Sequence, residues 1–340
     1  MGRLATLTVL ALTATALTLP GVSAASAPET ASGPDAAPGP EAAAEIEEVT
    51  QFGSNPGALR MFRYTPDNLS EGRPVVIALH GCTQDAVGYG TNSGWIELAD
   101  RWGFTVVLPQ QESANNANGC FNWFEQADTD RDTGEAASVA QMRQRAIDDA
   151  AADPQRVYVS GLSAGGAMTA TMLATYPEQY AGGGIVAGLP YRCASTLPDA
   201  FTCMNPGKDQ TPQQWGDLVR AASAHEGARP TVSLWHGDAD TTVAPANMRE
   251  SVEQWTDVHG TDTTPDVEDT VAGYPHAEYH DGSGRAVVET VTIPGMNHGQ
   301  PVDPGTGEQQ CGQAADYMLD VDVCAAYQMG TTWGLAAQGR

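Results

Sequence analysis

A serine between two glycines is the strongest chemical signal in the sequence. Residues 161–165 read Gly-Leu-Ser-Ala-Gly and match the pattern G-x-S-x-G. They follow an apolar, β-branched run at 156–160 and open an Ala- and Met-rich segment that is typical of a helix. A tight turn between a strand and a helix holds a serine in a strained conformation, with its hydroxyl above the sheet edge. We therefore predict that Ser163 is a nucleophile rather than part of a turn that only packs closely.

Two backbone amides are candidates for stabilising the negative charge that develops when a hydroxyl attacks a carbonyl. The first is the N–H of Ala164, at the start of the predicted helix. The second is the N–H of Cys82, in the loop 80–84 that follows the apolar run 74–79. A catalytic thiol is the alternative for Cys82, but a disulfide is favoured in an exported chain with an even number of cysteines.

A serine hydroxyl needs a neighbouring base, and the base needs an acid that fixes its tautomer. In the α/β-hydrolase order, the acid follows the serine and the histidine follows the acid. Asp240 comes after the predicted strand 231–235 and before a helix, so we predict that it is the acid. Asp238 is the close alternative, and either carboxylate could instead only cap a turn.

Four histidines follow the predicted acid, and we predict that His298 is the base. It lies in a loop with glycines on both sides after the strand 287–293, and such a loop can fold back over the serine. His259 is expected to end a helix. His276 and His280 flank a predicted hairpin and are expected at the surface.

The elements that position these residues alternate between strand and helix from Phe52 onward. The predicted strands are 74–79, 104–108, 156–160, 184–187, 231–235 and 287–293, and the predicted helices are 93–102, 134–151, 164–176 and 245–258. Continuous apolar strands between helices indicate a parallel sheet that is covered on both faces. The predicted fold class is therefore α/β, an α/β-hydrolase fold with a mostly parallel central sheet and helices on both faces. The predicted catalytic motifs all follow strands, where open α/β sheets bind their ligands.

Charge excludes some classes of partner. The 340 residues include 16 Lys and Arg against 42 Asp and Glu, a formal net charge of −26. Nucleic-acid binders that neutralise phosphates carry basic faces, and anionic lipid attracts basic segments. We therefore expect no nucleic-acid partner and, after removal of the signal peptide, no membrane partner.

The N-terminal segment predicts export. Residues 1–27 resemble a secretory signal peptide, with one early positive charge, an apolar run and possible cleavage after Ala24 or Ala27; an uncleaved anchor is the alternative. Residues 28–45 are rich in Ala and Pro and are predicted to form a disordered leader. A single catalytic domain is predicted for 46–340. The expected location is extracellular.

Six cysteines are consistent with export, and their positions are Cys82, Cys120, Cys193, Cys203, Cys311 and Cys324. Six cysteines allow 15 pairings. Proximity along the chain favours Cys193–Cys203 and Cys311–Cys324, which leaves Cys82–Cys120. That last bridge would place residues 122–124 beside the serine, where Trp123 either contacts substrate or only packs.

The sequence gives little sign of a metal site. It has no Cys-x-x-C pattern and no Cys/His group at zinc spacing. The acidic run 128–132 begins like an EF-hand, but Thr133 and Val139 replace the required Gly and Glu. We expect neither a metal nor a cofactor.

Together these motifs resemble the poly(3-hydroxybutyrate) depolymerase family of esterases, which is similar to esterases acting on acetylated and feruloylated xylan. The resemblance runs from about Phe52 to Gly299. It rests on the segments 52–56, 79–84, 122–124, 157–168, 187–191, 235–240 and 295–298. It implies Ser163 as nucleophile, Asp240 as acid and His298 as base. It also implies that the Cys82 loop forms part of the oxyanion hole.

The expected function is that of a secreted serine esterase acting on polyhydroxyalkanoate or its oligomers through an acyl-enzyme. Candidate substrate-binding residues are His80, Trp123 and Tyr191. An acetylxylan or feruloyl esterase acting on plant polysaccharide is the alternative, as are a peptidase with the same three residues and a non-catalytic binding protein on a hydrolase scaffold. Secreted depolymerases of this family often append a substrate-binding domain, which the sequence up to Arg340 does not show, so digestion of crystalline polyester is not expected.

Overall fold

A computed structural model describes residues 45–336. The predicted signal peptide and residues 28–44 of the predicted leader lie outside the described residues. The strands are β1 (Glu47–Val49), β2 (Arg60–Tyr64), β3 (Val75–Leu79), β4 (Thr105–Gln110), β5 (Val157–Leu162), β6 (Gly182–Val186), β7 (Thr231–Gly237), β8 (Val267–Val271), β9 (Tyr274–His280), β10 (Ala286–Ile293), β11 (Gln300–Val302) and β12 (Met318–Asp320). The helices are α1 (Ala86–Asn92), α2 (Trp95–Trp102), α3 (Gln126–Thr129), α4 (Gly134–Ala150), α5 (Ala164–Thr175), α6 (Leu197–Met204), α7 (Pro212–Ala221), α8 (Ala246–His259) and α9 (Ala325–Thr332), with a short 3₁₀ helix at Pro177–Gln179.

Ten strands form one sheet in the order β1-β2-β4-β3-β5-β6-β7-β10-β9-β8. The six strands from β4 to β10 in that order are mutually parallel. Antiparallel strands flank this parallel centre on both sides. Strands β11 and β12 form a separate parallel pair. Because the central strands are parallel, the loops after β3, β5, β7 and β10 meet at one edge of the sheet.

Successive side chains of a strand point to opposite faces, so the sheet separates two apolar layers. On one face, Val75 and Ile77 of β3 pack in a cluster with buried side chains of α4, α5 and α8. On the other face, Val76 and Ala78 pack in a cluster with α1, α2 and α9. Helices therefore cover both faces, as the apolar strands predict.

The predicted helix 93–102 corresponds to α2, which begins at Trp95, and a further helix that the sequence patterns do not predict, α1, precedes it. The chain turns at Ser93–Gly94 between α1 and α2, and Gly94 has φ = 90°. That conformation favours glycine, and a Cβ there would lie 2.8 Å from the Sγ of Cys311. A second difference is the pair β11–β12, since the sequence patterns end their strands at residue 293.

The six cysteines form three disulfides, Cys82–Cys120, Cys193–Cys203 and Cys311–Cys324. These are the pairings that proximity along the chain favours. Among the helices of residues 45–336, none is both long enough and apolar enough to traverse a lipid bilayer.

Candidate active site

Ser163 lies in the turn between β5 and α5, and its backbone has φ = 58° and ψ = −117°. A non-glycine residue with positive φ is strained, and such strain concentrates at functional positions. Its N–H donates to the carbonyl of Val186 at 2.9 Å. The flanking glycines permit this turn, because a Cβ at Gly165 would overlap the carbonyl oxygen of Leu79, and one at Gly161 would overlap Gly165.

The amides of Cys82 and Ala164 are the predicted oxyanion donors. Neither N–H has a hydrogen-bond acceptor within residues 45–336. Ala164 is the first residue of α5, where helical N–H groups lack intrahelical partners and favour negative charge. The loop that carries Cys82 is fixed on both sides, since the Gly81 N–H donates to Gln84 Oε1 at 2.9 Å and Cys82 is bonded to Cys120.

His80 supports this loop from beneath. Its ring is fully buried, with Nδ1 2.8 Å from the carbonyl oxygen of Gly81, while Nε2 accepts from the N–H of Gln111 at 3.1 Å. Burial lowers the pKa of His80, outweighing the hydrogen bond to Gly81. Both ring nitrogens are therefore occupied by backbone groups that hold the loop in place.

Asp240 follows β7 and is buried. Its Oδ1 accepts from the N–H groups of Thr242 and Val243 at 2.8 and 2.9 Å. Its Oδ2 is 2.7 Å from His298 Nδ1 and 3.4 Å from His236 Nε2. Burial acts to raise the pKa of this carboxyl, but the hydrogen bonds from His236, His298 and Val243 lower it well below its usual range.

His298 lies in the loop after β10, as predicted, with the Nδ1 side of its ring on Asp240. With the Nδ1 proton donated to the carboxylate, the lone pair of Nε2 is available to accept a proton. Asn297 fixes the loop, because its Oδ1 accepts from the N–H groups of His298 and Thr241 at 2.8 and 3.2 Å.

The loops after β7 and β10 are locked together. The N–H of Ala239 donates to the carbonyl of Met296 at 3.1 Å, and a Cβ at Gly237 would overlap that same carbonyl oxygen. Asp238, the alternative acid, accepts from the N–H of Gly295 at 2.6 Å through its Oδ1. Asp238 thus ties the two loops together, while the carboxylate of Asp240 contacts the imidazole.

A cavity of about 150 Å³ brings the predicted nucleophile, base and oxyanion loop together. Its lining consists of Gly81, Cys82, Thr83, Gln84, Leu162, Ser163, Met204, Thr242, His298 and Tyr317. Three of these, Met204, Thr242 and Tyr317, were not found by sequence reasoning. No motif marks them, since Met204 ends α6, and Thr242 and Tyr317 lie in the loops that follow β7 and β11.

The three predicted substrate-binding residues are not among the side chains that line this cavity. Trp123 is buried in an apolar cluster with Phe124 and Ala164, behind the start of α5. Tyr191 is also buried, and its N–H donates to Gln254 Oε1 at 2.8 Å. His80 lies beneath the oxyanion loop. A contact of these three side chains with substrate stays a prediction.

Among the other histidines, the sequence-based expectation holds for His259 and fails for His276. His259 is the last residue of α8, and burial lowers its pKa to about 4. His276, expected at the surface, is buried in the middle of β9. The reason is that β9 pairs on both sides, with β8 and β10, so side chains of both neighbouring strands flank the His276 ring. His280 ends β9 and is half-buried.

A buried glutamate behind the oxyanion loop also escaped the sequence analysis. Glu135 lies in the first turn of α4, where an acidic residue normally faces solvent and stabilises the helix dipole. Its carboxylate instead accepts from Gln111 Nε2 at 2.5 Å and from the Asn122 N–H at 2.8 Å. Burial, together with the nearby charge of Asp128, raises the pKa of Glu135 to about 8.

The site can therefore carry out nucleophilic chemistry at a carbonyl. A strained serine faces a cavity that it shares with a buried imidazole, and a carboxylate fixes the tautomer of that imidazole. The N–H groups of Cys82 and Ala164, which have no acceptor within residues 45–336, are the candidates for stabilising the oxyanion.

Comparisons with known proteins agree with this geometry. Residues 60–268 match the family described as Esterase PHB depolymerase. A poly(3-hydroxyalkanoate) depolymerase C from Paucimonas lemoignei is 53% identical over 291 residues, which cover 85% of this chain and 70% of that protein. Acetylxylan esterase A from Aspergillus ficuum is 33% identical over 264 residues, 76% of this chain and 86% of the relative.

A solved structure extends the agreement to the fold. The acetyl xylan esterase from Aspergillus awamori superposes with a TM-score of 0.69 at 29% identity, over 75% of this chain and 94% of that one. The predicted α/β-hydrolase fold, with its mostly parallel sheet between helices, is thereby confirmed.

Proposed function

Because this chain belongs to the esterase PHB depolymerase family, we propose that it hydrolyses the ester bonds of polyhydroxyalkanoates through an acyl-enzyme on Ser163. The observation that carries this proposal is the cavity shared by Ser163 and His298, with Asp240 bonded to the far side of the imidazole.

In the first half of the reaction, the Ser163 oxygen attacks the ester carbonyl carbon, and His298 Nε2 takes the hydroxyl proton. The tetrahedral intermediate then collapses, the ester C–O bond breaks, and the imidazolium gives its proton to the leaving alcohol. In the second half, His298 removes a proton from water, which attacks the acyl-serine. The carboxylic acid leaves, and the serine recovers its proton.

The amides of Cys82 and Ala164 stabilise the oxyanion of both intermediates. Backbone donors of this kind are already oriented, so the protein does not reorganise when the charge develops. The His80 ring and the Cys82–Cys120 disulfide preserve that orientation from opposite sides of the loop.

An aliphatic polyester fits the surroundings of the cavity. Leu197 and Phe201, one turn apart on α6, are 50% and 65% exposed, and the same helix ends at Met204 in the cavity wall. Tyr317, which also lines the cavity, is 44% exposed. Exposed apolar side chains next to a site favour an apolar ligand.

Acetylxylan is the second candidate substrate, since the relatives from both Aspergillus species are named acetylxylan esterases. A feruloylated polysaccharide is a further alternative within the same chemistry. The three disulfides support maturation in an oxidising compartment, and we place the protein outside the cell, with residues 46–340 as its catalytic domain.

The decisive experiment compares the wild type with Ser163→Ala on p-nitrophenyl butyrate, amorphous polyhydroxybutyrate, acetylxylan and methyl ferulate. We expect the wild type to act fastest on the polyester, and Ser163→Ala to lose about 10³-fold or more on every ester. The replacement removes only a hydroxyl, so the circular dichroism spectrum should not change.

Ser195→Ala removes an exposed hydroxyl that bonds Asp199, and it serves as the control with full activity. Undiminished turnover by Ser163→Ala would overturn the mechanism. If Ser163→Ala loses all activity but the wild type acts fastest on acetylxylan, the mechanism would stand. The assignment of polyester as the substrate would then be wrong.

A further inference from the structure

The face of the sheet that carries His276 gathers nitrogen and oxygen donors on three strands. His276, Glu278 and His280 alternate along β9, so their side chains lie on the same face. Asp269 of β8 lies opposite His276, and Glu289 of β10 lies opposite Glu278. The six cysteines and the catalytic residues take no part in this group.

The His276 ring is fixed on one side and unsatisfied on the other. Its Nδ1 lies 2.6 Å from Asp269 Oδ1, so the proton of the neutral ring lies on Nδ1 and the lone pair on Nε2. The residue is 8% exposed, and Nε2 is buried with no hydrogen-bond partner in the part of the chain that the structure describes. A buried polar atom without a partner destabilises the folded state, so its presence calls for an explanation.

The donor spacing around Nε2 suits a metal ion better than a hydrogen bond. Glu289 Oε2 lies 3.6 Å from His276 Nε2, which is too long for a hydrogen bond. Two ligand atoms that each lie about 2.1 Å from a tetrahedral ion are about 3.4 Å apart. Donor atoms of His276, Glu278 and Glu289 all lie within 4.8 Å of one another.

In the described part of the chain, the negative charges of Glu278 and Glu289 are not balanced by a Lys or Arg side chain. Within residues 45–336, no Lys or Arg forms an ion pair with Glu278 or Glu289. Once Nε2 of His276 is free of a proton, these two carboxylates and the imidazole carry a charge of −2, which one divalent cation would neutralise. A fourth donor is near, because His280 Nε2 is 2.8 Å from Glu278 Oε2.

We propose that His276, Glu278 and Glu289 bind one Zn²⁺ ion, with Asp269 orienting the imidazole and His280 as the neighbouring fourth donor. Imidazole and carboxylate ligands together suit zinc, whereas sites for calcium and magnesium use oxygen alone. The contact from Asp269 to Nδ1 is the carboxylate–histidine arrangement that surrounds zinc sites in proteins.

A proton competes with the ion for this site, because the carboxylates of Asp269 and Glu289 lie on opposite sides of the His276 ring. Zinc must displace any proton on Nε2 when it binds. Solvent can deliver the ion, since Glu289 also lines an open cavity of about 290 Å³.

The ion would join β9 to β10, while Asp269 brings β8 into the same site. Strand β10 continues into the loop that holds His298, so zinc would stabilise the strand that precedes this loop. We expect the ion to raise thermal stability and to leave the catalytic rate unchanged, because Ser163 and the oxyanion loop follow β5 and β3, which do not carry its ligands.

The test uses the whole protein after dialysis against EDTA, with ZnCl₂ as the probe. Isothermal titration calorimetry and elemental analysis are expected to give one Zn²⁺ per chain, with a rise of several degrees in the midpoint of thermal unfolding. Glu289→Gln is expected to weaken binding at least tenfold, and His276→Gln to abolish it.

Glu268→Gln is the matched control, since Glu268 lies in β8 opposite Ala277 and so points to the other face of the sheet. It should bind Zn²⁺ as the wild type does. If His276→Gln misfolds by circular dichroism, Glu289→Gln and Glu278→Gln, which keep the side-chain shape, carry the test.

Two outcomes would overturn the proposal. One is a wild type that takes up no stoichiometric Zn²⁺, which would leave the group as a protonated ion-pair network. The other is equal binding by the wild type and His276→Gln, which would place the ion elsewhere, for example at the carboxylates Asp303, Asp320 and Asp322.

Discussion

Two histidines in this protein make the same first contact. His298 Nδ1 lies 2.7 Å from Asp240, and His276 Nδ1 lies 2.6 Å from Asp269. They differ at the opposite nitrogen, because His298 lines a cavity with a serine, whereas the Nε2 of His276 faces a second carboxylate. The comparison shows that a histidine–carboxylate pair does not define a chemistry by itself; the group across the ring does.

The two carboxylates differ as well. Asp240 is buried and accepts from two backbone N–H groups in addition to imidazole, whereas the side chain of Asp269 is 59% exposed. More donors keep Asp240 ionised despite its burial. The hydrogen bonds to Asp240 therefore fix its carboxylate in one orientation, while the exposed carboxylate of Asp269 is free to rotate towards His276.

The largest effect is expected on kcat, when the carboxylate partner of each histidine is replaced in turn. Asp240→Asn should lower kcat for p-nitrophenyl butyrate about 10⁴-fold, because an amide no longer fixes the tautomer in which His298 Nε2 accepts a proton. Asp269→Asn removes the equivalent group from the other pair and should leave kcat unchanged. Steady-state kinetics at pH 8 would measure both, and a similar loss in both variants would contradict the assigned roles.

The next effect concerns a buried carboxylate that contacts no imidazole. Glu135 has a pKa of about 8 in the folded protein, well above the value of about 4.5 in an unfolded chain. Between these values the folded state binds more protons than the unfolded state, so stability is greatest below about pH 4.5 and falls as the pH rises to about 8. The loss for this group is roughly 3–5 kcal/mol.

Glu135→Gln should remove that dependence. Urea unfolding at pH 5, 6, 7 and 8 should give a smaller difference between pH 5 and pH 8 than in the wild type, even though the amide loses one hydrogen bond. Glu125→Gln, at an exposed position, is the control and should follow the wild type. An unchanged slope in Glu135→Gln would mean that another group holds the proton.

The smallest effect is expected on kcat when the loop that holds His298 loses a hydrogen bond, since a histidine in a loop has fewer supports than one in a strand. His276 is held by the ladders of β8 and β10, but His298 depends on Asn297. Asn297→Ala should lower kcat about 10- to 100-fold with KM little changed, because small displacements of a catalytic group are costly. Asn205→Ala removes a bond to the carbonyl of Thr241 without touching His298, and its activity should stay near that of the wild type.

The sequence predicts the loops that carry Ser163, Asp240 and His298 better than it predicts the surroundings of Glu135 and His276. Strand periodicity and the glycines around Ser163 reflect local geometry, and the turn has the strained backbone that the motif requires. The placement of Asp240 and His298 follows from chain order in a parallel sheet. Such features need no knowledge of distant contacts.

The missed features depend on tertiary contacts. Glu135 reads as an ordinary first-turn acid, and only the packing of Gln111 and Asn122 around it makes it buried. His276 was expected at the surface because pairing of β9 on both sides is invisible in a local pattern. The spacing His-x-Glu-x-His at 276–280 was present in the sequence and could have indicated donors on a shared strand face.

Gly161 and Gly165 determine the shape of the turn at Ser163, because they pack directly against neighbouring backbone. The serine side chain does not contribute to that shape. A chain that lacks only the Ser163 hydroxyl should therefore keep its cavity intact. Such a variant should bind an ester without cleaving it, and a structure of that complex would show which cavity residues, Tyr317 among them, contact the substrate.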